Sequence, residues 1–519
     1  MNKPDDSATE PESAEKSLSD TVLSGGKWLG MAALAQALLQ IVVVAVLARL
    51  LSPAQFGLAA IAGIFIDLAA GIAALGASQA LVQRHDLDVH HIRAAFWISI
   101  GTGLSITAAL FLASPWLATI LGSPEAAPLI AALSGTFTIR ALAYVSEGLA
   151  ARQLNFRILA IRQLASYTIG YGVVGIGSAL LGAGAWALVY AQIVEASLIA
   201  LLLIAAIRFD WRPTRTWSAY RDILGYGTGS SVAQIINSLA NQADRAIVSI
   251  NANPAAVGIY TRALQITNYP YRLIGKVVED VLFPSFAGVQ NDVGRLSSAY
   301  YRSTGSIFVV MTPVSVFFCL SAGPLTSVLL GPQWSGVVPL IVAFAVSIPF
   351  RSAQRVGGAL IRAVGRSWLI AALQVFFFAG TALGALIGIR FGLLGAAIGV
   401  TGAVILHYLA LTIACVLALE LDSGRLLARH FAGLPLAVLA ATGAAIGAWA
   451  TAAGLIDSFV ALILSAVISA AVTLSAVLVA PRLMLSTDGQ WLATLLLSKG
   501  PEKWRTLSVI SALSRKIAR

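Results

Sequence analysis

Long apolar runs recur along the whole chain, separated by short breaks carrying Arg, Pro, Gly or Ser. The hydrocarbon core of a bilayer takes about 20 apolar residues of helix, because backbone groups in lipid must bond internally. Runs of that size fall at 28–50, 55–82, 91–114, 124–150, 156–181, 184–207, 221–250, 255–283, 300–322, 336–363, 367–389, 391–418, 428–453 and 457–480. The pattern predicts an all-α polytopic membrane protein with about fourteen transmembrane helices. The least distinct division lies near 319–335, where Gly323-Pro324 and Gly331-Pro332 interrupt the run.

In two runs the polar positions are themselves periodic. In the seventh, Gln234, Asn237, Asn241 and Asp244 stand three or four residues apart. In the eighth, Arg262, Gln265, Tyr269, Arg272, Lys276 and Glu279 repeat that rhythm. Such spacing puts each set on one helical face, and Leu264, Ile266, Leu273, Ile274 and Val277 cover the other face of the eighth. Pro270, inside this run, removes a backbone bond and predicts a kink.

A longer period is also present. The stretch from Ala35-Gln36 to Pro53-Ala54-Gln55-Phe56-Gly57 resembles that from Ala233-Gln234 to Pro254-Ala255-Ala256-Val257-Gly258. Each is a long helix, a Pro-containing turn and a Gly opening the next helix. An even number of spans between them keeps both halves in one orientation, so a parallel pseudo-repeat is expected. It divides the bundle into an N-lobe of six helices over 23–210 and a C-lobe of six over 211–420, followed by two C-terminal helices over 421–480.

Composition agrees. Hydrophobic residues make up 58% of the 519 and charged residues 11%, with a mean hydropathy of +0.84. A soluble domain carries about 25% charged residues, so the length describes one large bundle rather than a string of soluble domains.

The charges alternate between loops. Arg84 and Arg93, Arg152 to Arg162, Arg208 to Arg221, Arg295 and Arg302, Arg366, and Arg425 and Arg429 mark one side. The intervening loops are nearly free of Lys and Arg, Arg49 and Arg390 being the exceptions. The positive-inside rule then places both termini in the cytoplasm. The net charge of +11 reads as a topology signal and not as a nucleic-acid surface.

Residues 1–22, largely polar and acidic, read as a disordered cytoplasmic lead-in without a secretory signal. In the tail, 481–519, Trp504, Leu507, Ile510, Leu513 and Ile517 recur at helical spacing among basic residues. This fits an amphipathic helix lying on the lipids of the inner leaflet, or an ordinary cytoplasmic tail.

Chemistry of the enzymatic kind finds little footing. The outer loops are short and there is no GxxxxGK[ST] phosphate loop. Cys319 and Cys415 lie in apolar runs without a CxxC pair, and no cofactor or metal site is expected. The run Arg84-His85-Asp86-Leu87-Asp88-Val89-His90-His91 has metal-like composition but no ligand spacing, and reads as a solvated loop.

A charge at mid-membrane is costly and marks a functional candidate. Arg351 and Arg355 stand one turn apart with no acid within a turn, and Arg362 follows on the same side. They are the leading anion-binding pair. Arg262 and Arg272 come next, with Arg140, which shares a helix face with Glu147. Asp67, Glu195 and Asp244 are candidates for ion coupling. The plainer readings stand beside these. Arg272, Lys276, Glu279 and Arg362 also fit snorkelling or local pairing. Asp244 fits a structural ion pair with Arg262. Asp67 and Glu195 fit helix–helix hydrogen bonds, and His407 fits a satisfied interior histidine.

Several stretches resemble a known family. They are Leu47-Ala48-Arg49-Leu50-Leu51-Ser52-Pro53-Ala54-Gln55-Phe56-Gly57, Gly76-Ala77-Ser78-Gln79-Ala80-Leu81-Val82-Gln83-Arg84 and Ala151-Arg152-Gln153-Leu154-Asn155-Phe156-Arg157. Gln242-Ala243-Asp244-Arg245-Ala246-Ile247-Val248 and Val281-Leu282-Phe283-Pro284-Ser285-Phe286 complete the set. Across 25 to about 420 the chain resembles the polysaccharide transporters, the Wzx-type oligosaccharide flippases of the multidrug/oligosaccharidyl-lipid/polysaccharide exporter superfamily, in their colanic-acid and xanthan exporter-like subgroup.

The resemblance implies two six-helix lobes around a cationic, water-filled cavity. It implies translocation of undecaprenyl-diphosphate-linked repeat units for exopolysaccharide or lipopolysaccharide synthesis, with a polysaccharide polymerase and a chain-length regulator as partners. On that reading Arg351, Arg355, Arg262 and Arg272 take the diphosphate, since the guanidinium fork suits phosphate. Asn237, Asn241 and Tyr269 take the sugars. The alternatives are a lipid II flippase, a cation-coupled drug antiporter, which would favour an acidic cavity, and a polysaccharide ligase or polymerase, which would need a large external loop.

Overall fold

The computed structural model describes residues 35–73, 81, 86–277, 282–485 and 487–490, and among these there are helices and no strands. A helix lies under each apolar run of the sequence. In chain order they begin with α1 (Ala35–Leu50), α2 (Pro53–Ala73), α3 (Val89–Ile120) and α4 (Ala127–Arg152). α5 (Phe156–Tyr167) continues through a π-helical stretch, Thr168–Gly175, into α6 (Ile176–Leu180). Then come α7 (Trp186–Ala206), α8 (Trp217–Asn251), α9 (Pro254–Val277), α10 (Phe283–Gly288) and α11 (Val293–Leu320). α12 (Ala322–Leu329), α13 (Val337–Ala345), α14 (Ile348–Ala363), α15 (Ser367–Gly388) and α16 (Gly392–Leu419) follow. The last are α17 (Ser423–His430), α18 (Leu434–Ala452), α19 (Ser458–Val479) and α20 (Pro481–Met484).

Among the described residues, 8 stretches are long and apolar enough to cross a membrane, or 9 if the bent pair α13–α14 counts as one span. One of them, Trp368–Leu419, holds both α15 and α16. α8 and α9 are not in that set, because their polar positions dilute the apolar face. The chain is a multi-pass membrane protein.

The described chain divides into two compact units, Met1–Gln242 with Asn253–Ala255, and Ala243–Ala252 with Ala256–Arg519. In the first, α4 packs against α2, α3 and α7. Gly103 lets α3 approach α4 closely; a Cβ there would stand 2.7 Å from the Ala141 Cβ. Asp88 caps α3 by accepting the His91 backbone N–H at 2.8 Å, which satisfies one of the orphan donors of a helix start. The π-helical stretch packs on α7, with Gly170 seated 2.8 Å (measured from an added Cβ) from the Ala191 carbonyl.

In the second unit, α11, α14 and α16 enclose a core of Phe286, Tyr300, Phe308, Leu360 and Tyr408, among others. Tyr408 and the His430 Nε2 are hydrogen-bonded at 2.6 Å. Two glycine pairs clamp α15 to α16. A Cβ on Gly399 would stand 2.0 Å from the Gly384 carbonyl oxygen, and one on Gly395 2.2 Å from that of Gly388. Each helix thus carries a GxxxG spacing at the contact, where small residues let backbones meet. α18 and α19 repeat the device with Gly443 and Gly447 against Ser469 and Ser465.

The structure adds three details. Pro270 lies inside helix α9, and a bend of 43° separates α13 from α14. There Pro349 withholds an N–H in the first turn and the Ser347 hydroxyl bonds the Phe344 carbonyl at 2.7 Å. The run ending at His90-His91 is not simply a solvated loop. His90 Nδ1 meets the Thr214 hydroxyl at 2.8 Å, and His91, largely covered, faces Asp88 and Asp222. Finally, the tail does not start as a free element. Leu485 and Met484 pack with Val309, Ala432 and Leu436, while Trp504 to Ile517 lie outside the described residues.

Candidate functional site

In the second unit, the break before α14 sets Arg351 and Arg355 on one face of that helix, toward α9. Arg351 donates to the Asn268 side-chain oxygen. Arg355 donates from Nε to the Tyr271 hydroxyl at 2.9 Å. The two guanidinium carbons stand 5.9 and 4.7 Å from the centre of the Tyr271 ring. Cations over an aromatic face are held by the ring quadrupole, and a guanidinium has five N–H donors in a planar fork. The cluster is therefore a pre-oriented, half-buried pair of forks held by contacts that include an amide oxygen, a phenol and a ring.

The other predicted cations distribute around it. Arg262 donates to Gln265 on its own helix α9, with Tyr269 half-buried one turn on, and Arg272 is exposed. Arg362 stands 5.8 Å from the Phe283 ring centre. The structure brings Arg351 and Arg355 together with α9. Arg140 and Asn241 belong to the first unit, and Asn241 is exposed. The side chain of Asn237, and those of Gln234, Lys276 and Glu279, lie outside the described residues.

The three acidic candidates have identifiable surroundings. The Gln242 amide donates to Asp67 at 2.6 Å, within the first unit. Asp244, 6% exposed, accepts from the Tyr260 hydroxyl at 3.0 Å and the Arg245 backbone N–H at 2.9 Å. Glu195 on α7 is half-buried, feels the charge of Arg140 on α4, and lies over Gly170 of the π-helical stretch. Glu147 pairs with Arg162 at 2.5 Å.

Asn268 and Tyr271 were absent from the sequence reading. They flank the Arg262–Gln265–Tyr269–Arg272 stripe by a fraction of a turn, and only the neighbour across the interface selects them. Gln242 and Tyr260 were likewise missed. Among the described residues there is no group of three His, Cys, Asp or Glu side chains that could hold a metal ion.

Comparison with known proteins places this arrangement in context. A family model described as "Polysaccharide biosynthesis protein" matches residues 46–339. The chain is 30% identical over 310 residues to the succinoglycan biosynthesis transport protein ExoT of Rhizobium meliloti, covering 60% of this chain and 62% of that protein. It is 24% identical over 352 residues to the lipopolysaccharide biosynthesis protein WzxC of Escherichia coli, covering 67% and 71%. It is 24% identical over 353 residues to the teichuronic acid biosynthesis protein TuaB of Bacillus subtilis, covering 68% and 73%. The match therefore spans less than two thirds of ExoT.

Among solved structures, the lipid II flippase MurJ in an inward closed conformation is similar at a TM-score of 0.67 and 12% identity, covering 86% of this chain and 98% of that one. An inward-facing multidrug resistance MATE family transporter of the MOP superfamily is similar at 0.60 and 20%, covering 73% and 94%. At those identities both likenesses speak to the fold alone.

Proposed function

The chain belongs to the polysaccharide biosynthesis protein family, and from that premise we propose that it is a flippase for polyprenyl-diphosphate-linked oligosaccharide repeat units. It carries them across the bacterial inner membrane by alternating access, with both termini in the cytoplasm and no enzymatic step of its own. The N-lobe and C-lobe over 23–210 and 211–420 are its two moving halves. Relatives named for transport or biosynthesis of succinoglycan, lipopolysaccharide and teichuronic acid support the substrate class. A polysaccharide polymerase and a chain-length regulator are its proposed partners.

The observation that carries the reading is the Arg351–Arg355 pair held against Tyr271 and Asn268. Two guanidinium groups one turn apart match the oxygens of a diphosphate, which a planar fork grips bidentately. Arg262 and Arg272 extend the cationic surface along α9, and Tyr269 offers a hydrogen bond to sugar hydroxyls; Asn237 and Asn241 are further proposed sugar contacts in the first unit. Arg140, beside Glu195, is a secondary anion contact in the first unit. Asp67, Glu195 and Asp244 are its coupling candidates, and Glu195 beside a π-helical stretch is the most suggestive, because such stretches often mark functional positions. An antiporter for cationic drugs would place acids where this chain has the arginine pair.

The test is a flipping assay in proteoliposomes with defined polyprenyl-diphosphate-linked sugars. Arg351→Ala and Arg355→Ala, at normal protein level, should each lower apparent substrate affinity about tenfold or more, from a charge-assisted contact of roughly 1.5–3 kcal/mol. Wild-type flipping by both variants would sink the diphosphate site.

A further inference from the structure

A second cationic site lies elsewhere in the second unit. A cavity of about 330 Å³ is lined by Ser298, Tyr301 and Arg302 of α11, Arg425 and Arg429 of α17, and Thr487 and Asp488 beyond α20. Arg429 pairs with Asp488 at 2.5 Å and donates to the Thr487 hydroxyl at 2.6 Å. The Asp488 carboxylate is almost fully buried, over Gly305, where a Cβ would stand 2.2 Å from its Oδ2. At the rim, Asp422 caps α17 and faces Arg425 at 3.3 Å. Even counting Asp422, the arginines outnumber the carboxylates.

We propose that this cavity is a binding site for the phosphate headgroup of an anionic phospholipid of the inner leaflet, and that Asp488 is an internal anion competing for Arg429. Position favours a lipid over a free anion. α11 starts, α16 and α19 end, and α18 begins beside the cavity, so it lies at the level where spans reach the headgroups. α17 is a short helix with Arg425 and Arg429 one turn apart, while Leu427 and the adjoining Phe431 are 59% and 56% exposed. Such a helix lies in the interface with its apolar side in the acyl region. Basic pockets between spans on the cytoplasmic side suit anionic headgroups, and Arg forks bind phosphate bidentately. Gly305 and Asp488 give the pocket a fitted floor, in which the carboxylate sits against Arg429, while Arg302 and Arg425 also line the cavity. The inner-leaflet placement rests on the topology proposed above.

The test titrates the full chain, purified in an uncharged detergent, with short-chain phosphatidylglycerol. Phosphatidylcholine and inorganic phosphate are separate arms, and the readout is the shift in melting temperature. Phosphatidylglycerol should raise the melting temperature; phosphatidylcholine and inorganic phosphate should not. The double substitution Arg302→Gln, Arg425→Gln should raise the phosphatidylglycerol midpoint about tenfold with the lipid-free melting temperature unchanged. Should that variant fold poorly, Arg302→Lys with Arg425→Lys keeps the charge and should still weaken binding by losing the fork. Asp488→Asn should lower the midpoint several-fold, because it removes the competing charge and keeps the shape. An unchanged midpoint in the arginine variants, or weaker binding in Asp488→Asn, overturns the site. A full shift with inorganic phosphate overturns the lipid assignment. Because the titration needs no bilayer, its failure is distinct from failure of the topology, which thiol labelling at Ser298→Cys reads separately.

Discussion

Arg355 donates from Nε to the Tyr271 hydroxyl at 2.9 Å while its guanidinium carbon sits 4.7 Å from the centre of the same ring. One tyrosine thus orients the cation through both edge and face. Tyr271→Phe keeps the face and loses the hydrogen bond, and should reduce apparent substrate affinity in the flipping assay by about threefold to tenfold. Tyr271→Ala loses both and should fall further. Equal activity in all three proteins would show that Arg355 does not need this support.

For Arg351, the lysine variant separates charge from shape. Arg351→Lys retains a cation but not the fork, and should recover only part of the loss seen in Arg351→Ala. Full recovery would mean that a point charge suffices and that bidentate capture plays no part. Failure of Arg351→Ala to accumulate in the membrane would instead make the arginine structural.

The arginine pair was legible in the sequence because a charge in an apolar run is conspicuous against its neighbours. Its partners were not. Asn268 and Tyr271 are ordinary polar residues whose significance arises only when α14 meets α9, and single-helix periodicity carries no information about facing helices. The spans were legible for the same reason the arginines were: long apolar runs have few other uses. The position of the bend was harder to read. Pro270 and Pro349 both carry the warning, but Pro349 falls in a first turn, where proline suits a helix start, so it marks a new helix after a break rather than a kink within one. The GxxxG spacings at Gly384–Gly388 and Gly395–Gly399 are present in the sequence but do not stand out in a chain with 46 glycines.

Those glycines make a packing prediction. Gly388→Ala or Gly399→Ala drives a methyl into a facing carbonyl, at 2.2 and 2.0 Å before relaxation. Overpacking of this kind costs about 1–3 kcal/mol, so both variants should melt lower in detergent, whereas Gly402→Ala, which meets open space, should not. Indistinguishable melting of the three would argue against the close approach.

The Glu147–Arg162 pair, partly covered at 2.5 Å, should be structural. Glu147→Gln and Arg162→Gln should each destabilise the fold by about 1–2 kcal/mol given the partial exposure, read as a lower melting temperature. The exchange Glu147→Arg with Arg162→Glu should restore most of it. Transport per folded molecule should stay close to wild type in all of them; a specific transport defect would assign the pair to the mechanism.

Asp88 offers a pH test outside the spans. The His91 backbone N–H holds its carboxyl below the usual carboxylate value against the opposing effect of burial, with lesser help from the charges of His91 and His90. A depressed acid contributes stability above its unfolded value and loses it as pH falls through the lowered folded value. Asp88→Ala should cost about 1 kcal/mol near neutrality. Its deficit should shrink on acidification through the Asp range, while Asp88→Asn, itself a good cap, should show little deficit near neutrality. A deficit in Asp88→Ala that is constant from neutral to acid pH would contradict the charged cap.

Where α15 and α16 meet through paired glycines, the two backbones touch with no side chain between them to act as a bearing. Sliding one past the other by a single residue would drive a Cβ into a carbonyl, so the pair has no low-cost shear. It behaves mechanically as one stiff board. Any swing of that board must be absorbed at its margins. One margin is the 43° break at Val346-Ser347, in the helix pair whose second half packs on the board. The other is Glu420, which leaves α16 in a left-handed conformation, φ 51°. In this pair of helices, stiffness comes from glycines, the residues most often associated with pliancy.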